Sequence, residues 1–171
     1  MKSSMFYVGV DGFVQEKRMT YANLTSAWGP ANLNSLVLPA IGNMSVPLGN
    51  NDPVNAWDSY SMAAVYSKNF YSGPGIRLFY HAQLGNGTLY VQEMVWRQDS
   101  DTWEKGAEII GPWPNSRLAA TIDESAKILR LFYSSGSQTL QESYIALNDS
   151  TGEYRNGMNN PFDKDLTEYS N

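Results

Sequence analysis

A chain of 171 residues can form one domain that buries about 70% of its unfolded surface. The net charge of −5, with no basic patch, argues against nucleic acid as a partner, and no apolar run approaches the ~18 residues of a membrane span. The absence of cysteine removes disulfides, thiolate metal sites and thiol nucleophiles. What remains is an aromatic-rich chain, with 11 Tyr, 6 Phe and 5 Trp, and such residues fit half-buried pleated surfaces. Met1-Lys2-Ser3-Ser4 leads into a strand-like segment without an apolar h-region, so no signal peptide is visible. Sequons at Asn23, Asn43, Asn86 and Asn148 add some weight to an extracellular origin, although several are expected by chance in a chain this rich in Asn and Ser. The compartment stays open.

In chain order, residues 5–10 and 13–18 read as a hairpin across Asp11-Gly12. A further strand is expected near Ser26-Ala27-Trp28, stopped by Gly29-Pro30. Pro39, Gly42, Pro47, Gly49 and Pro53 then punctuate a long loop over about 39–58. From Ser61 a fuller unit begins: Met62-Ala63-Ala64-Val65, then Ile76-Arg77-Leu78-Phe79-Tyr80, then Leu89-Tyr90-Val91-Gln92-Glu93, then an outer strand through Trp96 and Trp103 to Lys105-Gly106. It returns as Leu118-Ala119-Ala120-Thr121, Leu129-Arg130-Leu131-Phe132-Tyr133, Leu140-Gln141-Glu142, then Tyr144 and Tyr154. A weaker copy opens the chain with Phe6-Tyr7, Val14-Gln15-Glu16 and Trp28. The polar tail, 158–171, reads as frayed or as an edge element.

Glu93 and Glu142 are 49 residues apart, and Arg77 and Arg130 are 53 apart. Periods of about 40–50 residues are those of β-propeller blades, and four strands per unit is the content of one blade. The predicted fold is therefore all-β, a single propeller-type domain over 1–171 with units at about 4–38, 61–110 and 116–157. Glu16 to Glu93 spans 77 residues, the excess being the long loop. The first unit lacks its inner strand. About three units fall short of the typical four to eight blades, so the chain is expected to be part of a longer one or to associate three-plus-three as a homo-oligomer, which unpaired sheet edges favour.

The recurring Arg and Glu carry the candidate chemistry. Pairing Arg130 opposite Glu142 centres a turn on Gly136, and pairing Arg77 opposite Glu93 centres one on Gly85. The separations, 12 and 16 residues, differ by an even number, so both pairs keep to one face. Phe79 opposite Val91 and Phe132 opposite Leu140 would share it. A guanidinium beside a carboxylate offers a fork of donors and a pair of acceptors for a cluster of sugar hydroxyls, while Trp or Tyr stacks on the apolar face of the ring. The plain alternative is a cross-strand ion pair worth about 0.2–1 kcal/mol.

The run Ile-Arg-Leu-Phe-Tyr, Gln-Glu, Trp96 and Trp103-Glu104-Lys105-Gly106-Ala107 resembles the fungal fucose-specific lectin family of six-bladed propellers. The likeness covers about 61–157 and, more loosely, 5–28. It implies that fucose sits between neighbouring blades, hydrogen-bonded by Arg and Glu of one blade and stacked by aromatics of the next. One implied site uses Arg77 and Glu93 with Tyr154 and Tyr144. A second uses Arg130 and Glu142, completed by a blade outside this chain, and a third pairs Glu16 with Trp96 and Trp103. Two positions depart from the pattern: Ser4 stands where an Arg is expected, so that site loses its guanidinium, and Ile145 replaces a stacking Trp.

No Gly-x-Ser-x-Gly elbow accompanies His81, the single histidine, which is placed after a strand end, so a Ser–His–Asp triad is not expected. Asp99-Ser100-Asp101 lacks the Gly and distal Glu of an EF-hand loop and reads as a solvated turn. That loop also has a trace of the sialidase Asp-box, but no arginine cluster accompanies it. A glycoside hydrolase needs two suitably spaced carboxylates, whereas Glu93 and Glu142 are equivalents in separate units. Gly111-Pro112-Trp113-Pro114 reads as an inter-blade connection. The expectation is a non-enzymatic lectin for fucosylated or related glycans, without cofactor or metal. The alternatives are a sialidase-like hydrolase or a degenerate scaffold for protein–protein contacts.

Overall fold

A computed structural model of the chain describes residues 2–9, 13–20, 29–31, 33–34, 61–83, 89–110, 116–134 and 140–156. The expected loop over 39–58, the tail 158–171, Trp28 and the Trp113 segment lie outside them. Among the described residues there is no α-helix, and the order is eleven β-strands. Sheet 1 contains β1 (Lys2–Val8), β2 (Val14–Thr20) and β3 (Gly29–Pro30). Sheet 2 contains β4 (Met62–Ser67), β5 (Gly75–Gln83), β6 (Leu89–Arg97) and β7 (Thr102–Ile110). Sheet 3 contains β8 (Ala119–Asp123), β9 (Ile128–Ser134), β10 (Leu140–Ala146) and β11 (Arg155–Asn156). Each is an antiparallel meander in chain order.

Sheet 2 is the centre because it is apolar on both faces. Successive side chains of a strand point to opposite sides, so Leu78 and Tyr80 enter one core while Phe79 enters another. The first core joins them to Val14, Met94, Trp96 and Trp103, with Phe6 packed against it. The second joins Phe79 to Val91, Leu129, Leu131, Tyr133 and Ile145. Leu78, Phe79, Val91, Leu129 and Leu131 are fully buried, each such side chain contributing about 1.5–3 kcal/mol relative to exposure. The sheets therefore stack face to face, and β4 and β8, the first strands of sheets 2 and 3, are in contact. The Ala pairs allow that approach.

The structure changes three local expectations. Gly29-Pro30 does not stop a strand but forms one, pairing with Lys17 and Arg18, on an outer edge where a missing N–H is tolerated. His81 lies inside β5, opposite Val91, and is buried. Its Nε2–H donates to the Ser116 carbonyl at 2.8 Å, tying sheet 2 to the segment that leads into sheet 3, and burial lowers its pKa from the ordinary 6.5. The hairpins pair two residues away from the expected register. Phe79, not Arg77, stands opposite Glu93, and Phe132 stands opposite Glu142. An even displacement leaves every side chain on its expected face, so Arg and Glu meet diagonally.

Candidate binding sites between the sheets

At the junction of sheets 2 and 3, Glu93 is held from three directions. Arg77 Nη1 donates to Oε1 at 2.9 Å, Tyr154 OH, from the residue just before β11 of sheet 3, donates to the same oxygen at 2.7 Å, and the Ala107 N–H donates to Oε2 at 2.9 Å. The last bond exists because the β6–β7 register shifts between Gln92 and Met94, a bulge that turns an unpaired N–H toward the carboxylate. Gln92 Nε2 bridges the irregularity to the carbonyls of Glu93 and Ala107 at 2.8 and 3.3 Å. Gly106 is required there, since a Cβ would lie 2.8 Å from Glu93 Cδ and closer still to Oε2.

The Arg77 guanidinium lies 4.9 Å over the Phe70 ring, and Tyr154 packs edge-on to Phe79 at 6.0 Å. Burial, then the Glu93 charge, pushes the Tyr154 phenol well above its ordinary pKa, so it stays a donor. Arg77 Nε is buried without a hydrogen-bond partner. Among the described residues Glu93 is the only group Arg77 bonds. It opens on a cleft of about 570 Å³ whose walls include Val95, Arg97, Lys105, Ser150 and Thr151.

The junction of sheets 1 and 2 follows the same plan with one exchange. Glu16, fully buried, accepts from Trp103 Nε1 of sheet 2 at 3.0 Å, as Glu93 accepts from Tyr154. Its other oxygen accepts from Ser4 Oγ at 2.6 Å. The guanidinium expected to be missing is present: Arg18 donates through Nε and Nη2 to Glu16 Oε1 at 3.2 and 3.0 Å. Its Nη1 reaches Asp101 Oδ1 at 2.6 Å, and its plane covers Trp96 at 4.9 Å. Trp96 Nε1 also donates to Asp101 at 2.9 Å. Asp101 is thus no simple solvated turn residue; it ends the β6–β7 connection at φ 52°, a left-handed conformation Asp tolerates. A cleft of about 860 Å³, walled by Phe6, Tyr66, Ile76 and Trp96, opens beside Arg18.

In sheet 3, Arg130 Nη1 bonds Glu142 Oε1. The side chains are 34% and 15% exposed, against 13% and 1% for Arg77 and Glu93, because no described sheet covers that face. Tyr144 stands directly across from Arg130 and shares its face. It therefore joins the Arg130–Glu142 group rather than Arg77, and Ile145 is the β10 residue that turns toward sheet 2. Arg18 and Asp101 were not anticipated as site residues. Arg18 was legible as the residue two past Glu16, hence on its face, whereas nothing local marks Asp101. Among the described residues no cluster of three or more His, Asp or Glu is arranged to hold a metal.

Four-stranded antiparallel meanders stacked face to face, with first strands in contact, are blades of a β-propeller. Solved structures agree. AofleA from Arthrobotrys oligospora matches with a TM-score of 0.60 at 19% identity, over 92% of this chain and 39% of that one. The Aleuria aurantia lectin, described as a six-bladed β-propeller with a novel fucose recognition mode, matches with 0.60 at 21% identity, over 91% and 41%. A variant of that lectin in complex with α-methyl-L-fucoside matches with 0.58 at 20% identity, over 91% and 45%. The chain spans about two fifths of the length of these structures and shares their propeller fold, so the fold resemblance to fungal lectins noted in the sequence holds. No protein-family model and no curated protein sequence matches the chain.

Proposed function

We propose that this chain is a non-enzymatic carbohydrate-binding module that takes fucose or a related hexose between neighbouring sheets. The observation that carries the reading is Arg77: a guanidinium fixed to Glu93 by one bond through Nη1 and 13% exposed, beside an open cleft. A planar fork held in place by a carboxylate that Tyr154 and Ala107 lock presents N–H donors to the cleft, which neighbouring sugar hydroxyls can accept. The pair recurs as Arg130–Glu142. The lectin character of the Aleuria neighbour supports the reading. So does an AofleA variant in which three arginines, each 53 residues from the next, are replaced by alanine, since Arg77 and Arg130 are also 53 apart.

Shallow sites of this kind bind weakly one at a time and gain by multivalency. The carboxylates sit in separate sheets, Glu93 held by three donors and Glu142 by Arg130, which suits repeated binding better than a dyad flanking one scissile bond. Binding to a glycan array, competed by free fucose, tests the proposal. Retention of fucosylated glycans supports it, and retention that free fucose leaves untouched argues for a different sugar or for a protein-binding scaffold.

A further inference from the structure

The two covered junctions are unequal, and the difference lies in which strand carries the arginine. In sheet 2 the residue opposite Arg77 is Val95, and in sheet 3 the residue opposite Arg130 is Tyr144. In sheet 1 the arginine position holds Ser4, and the residue opposite it is Arg18. Moving the guanidinium across the pair changes what it covers. Arg77 lies over Phe70 of the β4–β5 connection and lines a cleft bounded on the sheet 3 side by Ser150 and Thr151. Arg18 lies over Trp96 of the neighbouring sheet, the ring that would otherwise stack on a sugar.

We propose that Arg18 and Asp101 together act as an internal ligand that caps Glu16 and covers one face of Trp96, leaving the cleft of about 860 Å³ beside them without a free guanidinium–carboxylate pair, so that this chain's sugar sites lie at Arg77 and Arg130 and not at Glu16. The inference rests on the lectin reading above and assigns its valency. Arg18 spends Nε and Nη2 on Glu16, Nη1 on Asp101, and its plane on Trp96. Arg77 spends Nη1 on Glu93 and has no second carboxylate partner among the described residues. Displacing Arg18 with a neutral sugar would strip the guanidinium from fully buried Glu16 and from Asp101 at once, and a neutral hydroxyl does not replace a counter-charge at a buried carboxylate. Asp101, held in a left-handed conformation, also takes up the Trp96 indole N–H, so the ring face under Arg18 and the N–H edge are both taken.

The test uses the full chain with ¹⁵N-labelled tryptophan and α-methyl-L-fucoside as probe, the indole signals being assigned with Trp96→Phe and Trp103→Phe. At saturating fucoside the Trp96 and Trp103 signals of the wild type stay in place. The exchange variant Ser4→Arg/Arg18→Val, which restores the sheet 2 arrangement, gains one further equivalent of bound fucoside and moves the indole signals. Saturable shifts of both indoles in the wild type overturn the inference and leave the lectin reading intact, as does a folded exchange variant that binds no more than the wild type. If the exchange variant does not fold, the wild-type spectrum decides alone. A wild type that binds no fucoside anywhere ends the fucose reading, and this inference with it.

Discussion

Ser4 and Arg18 face each other across the β1–β2 pair, and the guanidinium beside Glu16 therefore comes from the glutamate's own strand. In the other two units it comes from the strand before, with Arg77 and Arg130 each reaching diagonally to the carboxylate. The carboxylate is the fixed point of each covered junction, and an aromatic donor from the next sheet, Trp103 or Tyr154, locks it.

Tyr154→Phe tests that lock. The Glu93 carboxylate, 1% exposed, loses one of its three donors, and hydrogen bonds to charged groups contribute about 1.5–3 kcal/mol. Urea unfolding should show a loss of that order. A loss below about 0.5 kcal/mol would mean that water replaces the phenol and that the junction is looser than described.

Gly106→Ala tests the bulge. The added methyl group meets the Glu93 carboxylate, so either the carboxylate or β7 must shift, a strain of about 1–3 kcal/mol. Fucoside affinity should fall at the Arg77 site and persist at the Arg130 site, which calorimetry resolves as a drop in bound equivalents.

His81 gives the fold a pH dependence whose sign follows from burial. Its folded pKa lies below the ordinary 6.5, desolvation outweighing the Ser116 carbonyl, so the folded chain binds fewer protons than the unfolded one. Its stabilising contribution is complete above that ordinary value and is lost as pH falls through it toward the folded one. The urea midpoint should fall between pH 7.5 and 5.5, and His81→Gln should flatten that dependence. An unchanged slope in the variant would assign the effect to other groups.

The repeat was legible because Arg-Leu-Phe-Tyr and Gln-Glu encode face as well as strand. Period-two alternation put Arg77, Phe79 and Glu93 on one side whichever exact register the hairpin took, so a two-residue displacement cost nothing. Tyr144 shows the limit of that reasoning. It is an aromatic at a plausible distance along the chain, but its parity places it with Arg130, and the Arg77 side receives Ile145. Arg18 departs from the repeat, which carries its arginine on the first strand of each hairpin, while geometry requires only that the guanidinium share a face with Glu16. Asp101 and the Ala107 N–H depend on a turn conformation and a bulge, which arise from packing between strands and leave no local trace beyond Gly106.

The most direct test of the account is calorimetric titration of α-methyl-L-fucoside into the wild type, Arg77→Ala and the Arg77→Ala/Arg130→Ala pair, with near-UV circular dichroism reporting the fold. Losing a charge-assisted hydrogen bond of about 1.5–3 kcal/mol corresponds to at least tenfold weaker binding. Arg77→Ala should therefore lose one class of site and the double variant should lose saturable binding, with the aromatic signal of the fold retained. A folded double variant that binds fucoside with wild-type affinity and stoichiometry would contradict the account.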